Sequence, residues 1–130
     1  MSTNSRSKGK RGELEWAAWL RDNLGLDARR GQQFHGGGDS PDVVGGIPGT
    51  HAEVKRVEAL NLSKAMAQAV GDCAAGSVPY VAHRRNRGEW MVTLRASDAE
   101  RFSECVCIGD GLSPQEMAAR IGLALPGANG

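Results

Sequence analysis

A chain of 130 residues can bury one hydrophobic core and is too short for two; at 40% hydrophobic and 24% charged residues it is expected to fold as a soluble domain. No apolar run approaches the roughly 18 residues of a membrane span, so no membrane partner is expected. The net charge of +1 conceals an asymmetry, since residues 1–87 hold 13 Lys and Arg against 9 Asp and Glu, and residues 88–130 hold 3 against 6. The excess of cations in the first part suits a polyanion, although solvated surface charge gives the same pattern. Three cysteines (Cys73, Cys105, Cys107) show neither paired nor metal-ligand spacing and read as reduced thiols of a cytoplasmic protein.

In chain order, residues 1–8 offer nothing to bury and are expected to form a disordered basic leader, with 9–130 as a single domain. The start, MSTNSRSKGKRG, lacks the apolar stretch of a secretory signal. A helix is predicted from near Gly12 to about Asn23, stopped by Gly25. A weakly signalled strand spans 26–34, and residues 35–41 (HGGGDSP) form a loop. Asp42-Val43-Val44 opens a short strand, ended by Gly45-Gly46 and a turn at Pro48-Gly49, and HAEVKRV (51–57) is the next strand. Asn61 caps a helix over 62–75 with Leu62, Met66, Ala69 and Cys73 on one face. VPYVAH (78–83) and EWMVTL (89–94) are strands around the basic turn RRNRG, and a short helix covers 97–104. Cys105-Val106-Cys107 alternates as a strand would, and Ser113-Pro114-Gln115-Glu116 has the form of a capping box opening a last helix to about Leu123. This order predicts an α/β domain with a mixed central β-sheet flanked by helices.

The segment that carries chemistry joins Asp42 to Glu53-Val54-Lys55. Alternation along a strand puts Glu53, Lys55 and Val57 on one face and Ala52, Val54 and Arg56 on the other. If the strands at 42–44 and 51–57 pair as a hairpin, Asp42 approaches Glu53. Two carboxylates then form a hard-oxygen site for Mg²⁺ or Mn²⁺, to which the Val54 carbonyl can add an oxygen. On the first helix Glu13 shares a stripe with Ala17, Leu20 and Leu24, so it faces the sheet, whereas Glu15 falls on the opposite side as a surface acid. A core-facing carboxylate needs a cation, and either a shared metal or a nearby arginine supplies one. A divalent metal on Asp42, Glu53, Val54 and Glu13, with Lys55 beside it and arginines around it, is what phosphodiester hydrolysis requires. Lys8, Lys10, Arg11, Arg29, Arg30, Arg56, Arg84, Arg85 and Arg87 are candidate contacts to a DNA backbone.

These residues resemble the PD-(D/E)xK nuclease superfamily, and within it the Holliday junction resolvases of archaea and bacteriophages. The likeness rests on Lys8-Gly9-Lys10-Arg11-Gly12-Glu13, Ser40-Pro41-Asp42-Val43-Val44, Glu53-Val54-Lys55-Arg56 and Gln68, and spans roughly residues 6–95. The resemblance implies a restriction-endonuclease-like fold with an αβββαβ core. It places the family's helical acid on Glu13, its proline-linked aspartate on Asp42, its ExK pair on Glu53 and Lys55, and its helical glutamine on Gln68. It further implies Mg²⁺ or Mn²⁺ dependence, a homodimer, and paired nicks in branched DNA, the four-way junction; a bacteriophage member would act in the host cytoplasm. Ser40 and His35 in the glycine-containing loop are candidate substrate contacts. The last 30 residues, with Cys105 and Cys107, have no counterpart in the likeness.

Three other readings stay open: a superfamily nuclease acting on linear duplex, a non-catalytic DNA-binding protein on the same fold, and an interaction module with incidental charges. Gly36–Gly38 lack a following GKS or GKT, so no nucleotide cofactor is expected. His51 reads as structural. Trp16, Trp19 and Trp90 read as core or dimer anchors, Trp19 being the candidate for the dimer because it lies off the apolar stripe.

Overall fold

The computed structural model describes residues 3–31, 42–111 and 115–116. Helix α1 runs Thr3–Leu24, nine residues longer at its start than the pattern predicts. The leader at residues 3–8, expected to lack order, is helical. Residues 3–11 mix good helix formers (Arg6, Lys8, Lys10, Arg11) with weak ones (Asn4, Ser5, Ser7, Gly9), and extending a helix already started adds a hydrogen bond per residue without the nucleation cost. Gly25, in the left-handed region at φ 67, stops the helix, and its N–H bonds the Arg21 carbonyl at 3.2 Å.

Two short strands follow, β1 (Arg29–Arg30) and β2 (Val43–Val44), paired antiparallel with Arg29 opposite Val44. Gly45 closes this pair at φ 70, where a Cβ would collide with the Asp27 carbonyl. The predicted hairpin between the 42–44 and 51–57 strands is therefore not what forms: β2 takes β1 as its partner. Residues 35–41, expected to form a loop with His35 and Ser40, lie outside the described residues.

Strand β3 (Thr50–Arg56) is parallel to β4 (Val78–Arg84), with Glu53 opposite Val81 and Lys55 opposite His83. The crossover between them is helix α2 (Leu62–Asp72), whose cap forms as expected, the Asn61 side chain accepting the Lys64 N–H at 3.0 Å. Strand β5 (Met91–Thr93) returns antiparallel to β4, giving a mixed sheet in the order β3-β4-β5. After a 3-10 turn (Ala96–Asp98), helix α3 runs Ala99–Asp110 and ends at Gly111, φ 73. Cys105-Val106-Cys107 is thus helical, contrary to its strand-like alternation. Phe102, Cys105 and Val106 fall at i, i+3 and i+4 and present one face to the core. Of the last predicted helix only residues 115–116 are described, and these are helical.

Helices α1 and α3 cover one face of the sheet. Trp16, Ala17 and Leu20 pack on Ala52, Val54, Tyr80 and Ala82, all buried. Gly12 brings α1 against β3, since a Cβ there would lie 3.1 Å from the Arg56 Cβ and 3.6 Å from the Val54 Cγ1. Trp19 stacks on Trp16 at 5.0 Å between ring centroids, so the candidate dimer anchor is spent on internal packing. Helix α2 covers the opposite face with small side chains, Ala65 and Ala69 against Val81; Leu62, expected on that buried stripe, is exposed.

Candidate active site

The chemistry-bearing residues meet at the β3 side of the sheet. Asp42, just before β2, accepts the Val54 backbone N–H on its Oδ2 at 2.9 Å. That bond, and not strand pairing, holds Asp42 beside β3. Glu53 is 4% exposed, and Lys55 Nζ lies 3.3 Å from its Oε1, so the two share a face as their spacing requires. Lys55 Nζ also donates to Gln68 Oε1 on α2 at 3.3 Å. Asp72, one helical turn beyond Gln68, adds its negative charge to the field felt by Asp42 and Glu53. Sequence reasoning missed Asp72, although the i, i+4 spacing from Gln68 was the signal that could have found it.

Glu13 reaches the same region from α1. Its Oε2 accepts from Arg30 Nε at 2.8 Å, and the nearby Asp42 charge acts on it. Of the two cations foreseen for this core-facing acid, the arginine is present, while the Asp42 charge repels the carboxylate. Arg30 is consequently tied to Glu13. Glu15 is not an ordinary surface acid. It accepts from Arg56 Nε at 3.0 Å and lies 3.6 Å from Arg84 Nη1, while the Arg84 guanidinium sits 5.7 Å from the Trp90 ring centroid. Arg56 and Arg84 are engaged within the fold as well. Lys10, Arg11, Arg29, Arg85 and Arg87 are exposed, Arg87 with φ 61 in the turn between β4 and β5. The Lys8 side chain and Ser40 lie outside the described residues.

The electrostatics of the cluster are one-sided. Burial, then the Asp42 charge, pushes Glu53 up to about 7 against the opposing pull of Lys55. Burial raises Asp42, opposed by the Val54 N–H and then Lys55. Glu13 is raised by burial and Asp42, opposed by Arg30. One ammonium is too little for this concentration of carboxylate, and an added cation would restore balance. Asp42 and Glu53, with the Val54 carbonyl between Glu53 and Lys55 in sequence, make an all-oxygen donor set that suits Mg²⁺ or Mn²⁺ keeping several waters. Among the described residues no group of three or more His, Cys, Asp and Glu side chains is gathered closely enough to hold a metal. Asp42 and Glu53 are the donor pair, and Glu13, bonded to Arg30, lies near enough for the Asp42 charge to act on it.

An α/β fold with a mixed sheet between helices, and a proline-linked aspartate meeting a Glu-x-Lys strand at its edge, define a nuclease of the PD-(D/E)xK superfamily with a restriction-endonuclease-like fold. The family described as "Phage putative PDDEXK endonuclease" matches residues 4–105, and the chain belongs to that family. No curated protein and no solved structure matches it. No helix among the described residues is long and apolar enough to cross a membrane.

Proposed function

We propose that this chain is a divalent-metal-dependent DNA endonuclease that resolves four-way junctions by paired nicks, acting as a homodimer in the cytoplasm of an infected cell. The observation that carries the catalytic part is the position of Lys55, held at 3.3 Å by both Glu53 and Gln68 beside an Asp42 fixed to the Val54 N–H. Asp42 and Glu53 would hold the cation. When bound, Mg²⁺ or Mn²⁺ supplies a Lewis acid for the phosphoryl oxygen and lowers the pKa of a bound water. Lys55 would orient the attacking water or meet the charge that develops on phosphorus oxygens in the transition state. Gln68 steers that ammonium, and Arg30 opposes the rise that burial and Asp42 impose on Glu13.

The junction preference is supported by the resemblance of the Gly9-to-Glu13 spacing and its basic leader to resolvases, and by exposed Lys10, Arg11, Arg29, Arg85 and Arg87, which can hold backbone without reading sequence. A two-fold protein suits a roughly two-fold junction.

The test offers equal amounts of four-way junction and linear duplex of the same sequence, with Mg²⁺ and with chelator. Symmetric nicks at the branch point, lost in chelator and in Glu53→Gln, are expected. Preferential cutting of the duplex contradicts the junction reading, and no Mg²⁺-dependent cutting of either contradicts the enzymatic one.

A further inference from the structure

Strand β5 is the outer strand of its sheet, and among the described residues nothing pairs with its free edge. It is also apolar and open, with Met91 60% and Val92 39% exposed. Monomeric proteins usually blunt such an edge with charge, proline, a bulge or brevity; Met91-Val92-Thr93 is short but carries no charge, proline or bulge. Alongside it, between β5 and α2, lies an apolar groove of about 670 Å³ lined by Leu62, Met66, Val70, Thr93 and Arg95 among others. Arg95 is the one cation of that lining, so the groove is poorly suited to a nucleic-acid backbone.

We infer that this edge and groove receive a second copy of the chain, β5 pairing antiparallel with its counterpart about a two-fold axis through Val92. The sequence around Val92 is self-complementary in that register. Glu89 and Arg95 lie three residues to either side, just beyond the ends of β5, so continuing that register sets each Glu89 opposite the other copy's Arg95. Glu89 is exposed and has no ion pair among the described residues. Arg95 donates through Nε to Asp98 at 2.8 Å while its side chain stays 46% exposed. The same register sets each Met91 opposite the other copy's Thr93. Thr93 pairs with Val81, which packs on α2, so Met91 and Thr93 both project on the α2 face. Each Met91 then stands at the mouth of the partner's groove, and one contact made twice gives the isologous interface of a closed dimer. Its use in paired nicking rests on the junction reading; its geometry does not.

Light scattering on the full chain at tens of micromolar tests this directly, with twice the 13.8 kDa of one chain as the expected mass. Glu89→Arg or Arg95→Glu alone sets like charges opposite each other twice per dimer, and each is expected to weaken association by about tenfold or more. Mixing the two variants in equal amounts re-creates two attractive pairs and should restore the dimer, a rescue that loss of folding cannot produce. A monomeric wild type, with the groove covered by the chain beyond residue 111 or left open, overturns the inference. So do variants that dimerise as tightly as wild type, or a mixture that fails to re-associate. A monomer that cuts junctions removes this surface and the homodimer of the proposed reading but spares the nuclease; a dimer that cuts nothing spares this surface and removes the nuclease.

Discussion

The two faces of the three-stranded sheet differ in what they spend their side chains on. Toward α1 and α3 the sheet meets an aromatic cluster in which Trp16 and Tyr80 are each 1% exposed and Trp16 Nε1 donates to Tyr80 Oη at 3.1 Å. Trp90 and Phe102 close around them. Toward α2 the buried contacts are small, and the same strands carry Glu53, Lys55, His83, Met91 and Thr93. One face holds the fold together; the other keeps charge and exposed apolar surface that a purely structural sheet would have buried or replaced. Stability and chemistry are thus separable by mutation, more cleanly than in a site built into the core.

Changes at the aromatic face should break the separation most visibly. Trp16→Ala empties the centre of the cluster and should cost about 3–5 kcal/mol in denaturant unfolding, with any loss of cleavage following from unfolding alone. Lys55→Ala does the opposite: DNA cleavage falls about 10²–10³-fold, while the denaturation midpoint changes little, because the ammonium is partly exposed. Tyr80→Phe leaves the buried Trp16 N–H without its acceptor and should cost about 1–3 kcal/mol.

The charged face should respond to pH and salt where the aromatic face does not. Glu53 has an ordinary value of 4.5 and a folded value of about 7, so the folded protein binds more protons between them. Its stabilising contribution is complete below about pH 4.5 and lost as pH rises through 7. Without metal, the melting temperature should therefore fall on going from mildly acidic to mildly alkaline buffer. Glu53→Gln should flatten that slope. The smallest effect is expected from Arg85→Ala or Arg87→Ala, each lowering the slope of log affinity for DNA against log salt by about 1, equally for all sequences.

Local pattern revealed much of the site. Strand alternation put Glu53 and Lys55 together, helical spacing turned Glu13 toward the sheet, and Asn61 announced the start of α2. What local pattern does not contain is the choice between tertiary partners. Nothing near Val43 says that it pairs with Arg30 and not with β3, or that Asp42 reaches β3 through one side-chain bond. Glu15 looked solvated because a helical wheel stops at the helix surface, whereas Arg56 and Arg84 reach it from two other strands. Cys105 and Cys107 misled because three residues of alternating character are too few to distinguish a strand from one turn of α3.

The central claim is that Asp42 and Glu53 form a site for a divalent cation. Calorimetric titration of Mn²⁺ into the wild type and into Asp42→Asn measures this without reference to any DNA substrate. Saturable binding by the wild type, lost or at least tenfold weaker in the variant, is the predicted result. Equal binding by both proteins, or none by the wild type, contradicts it.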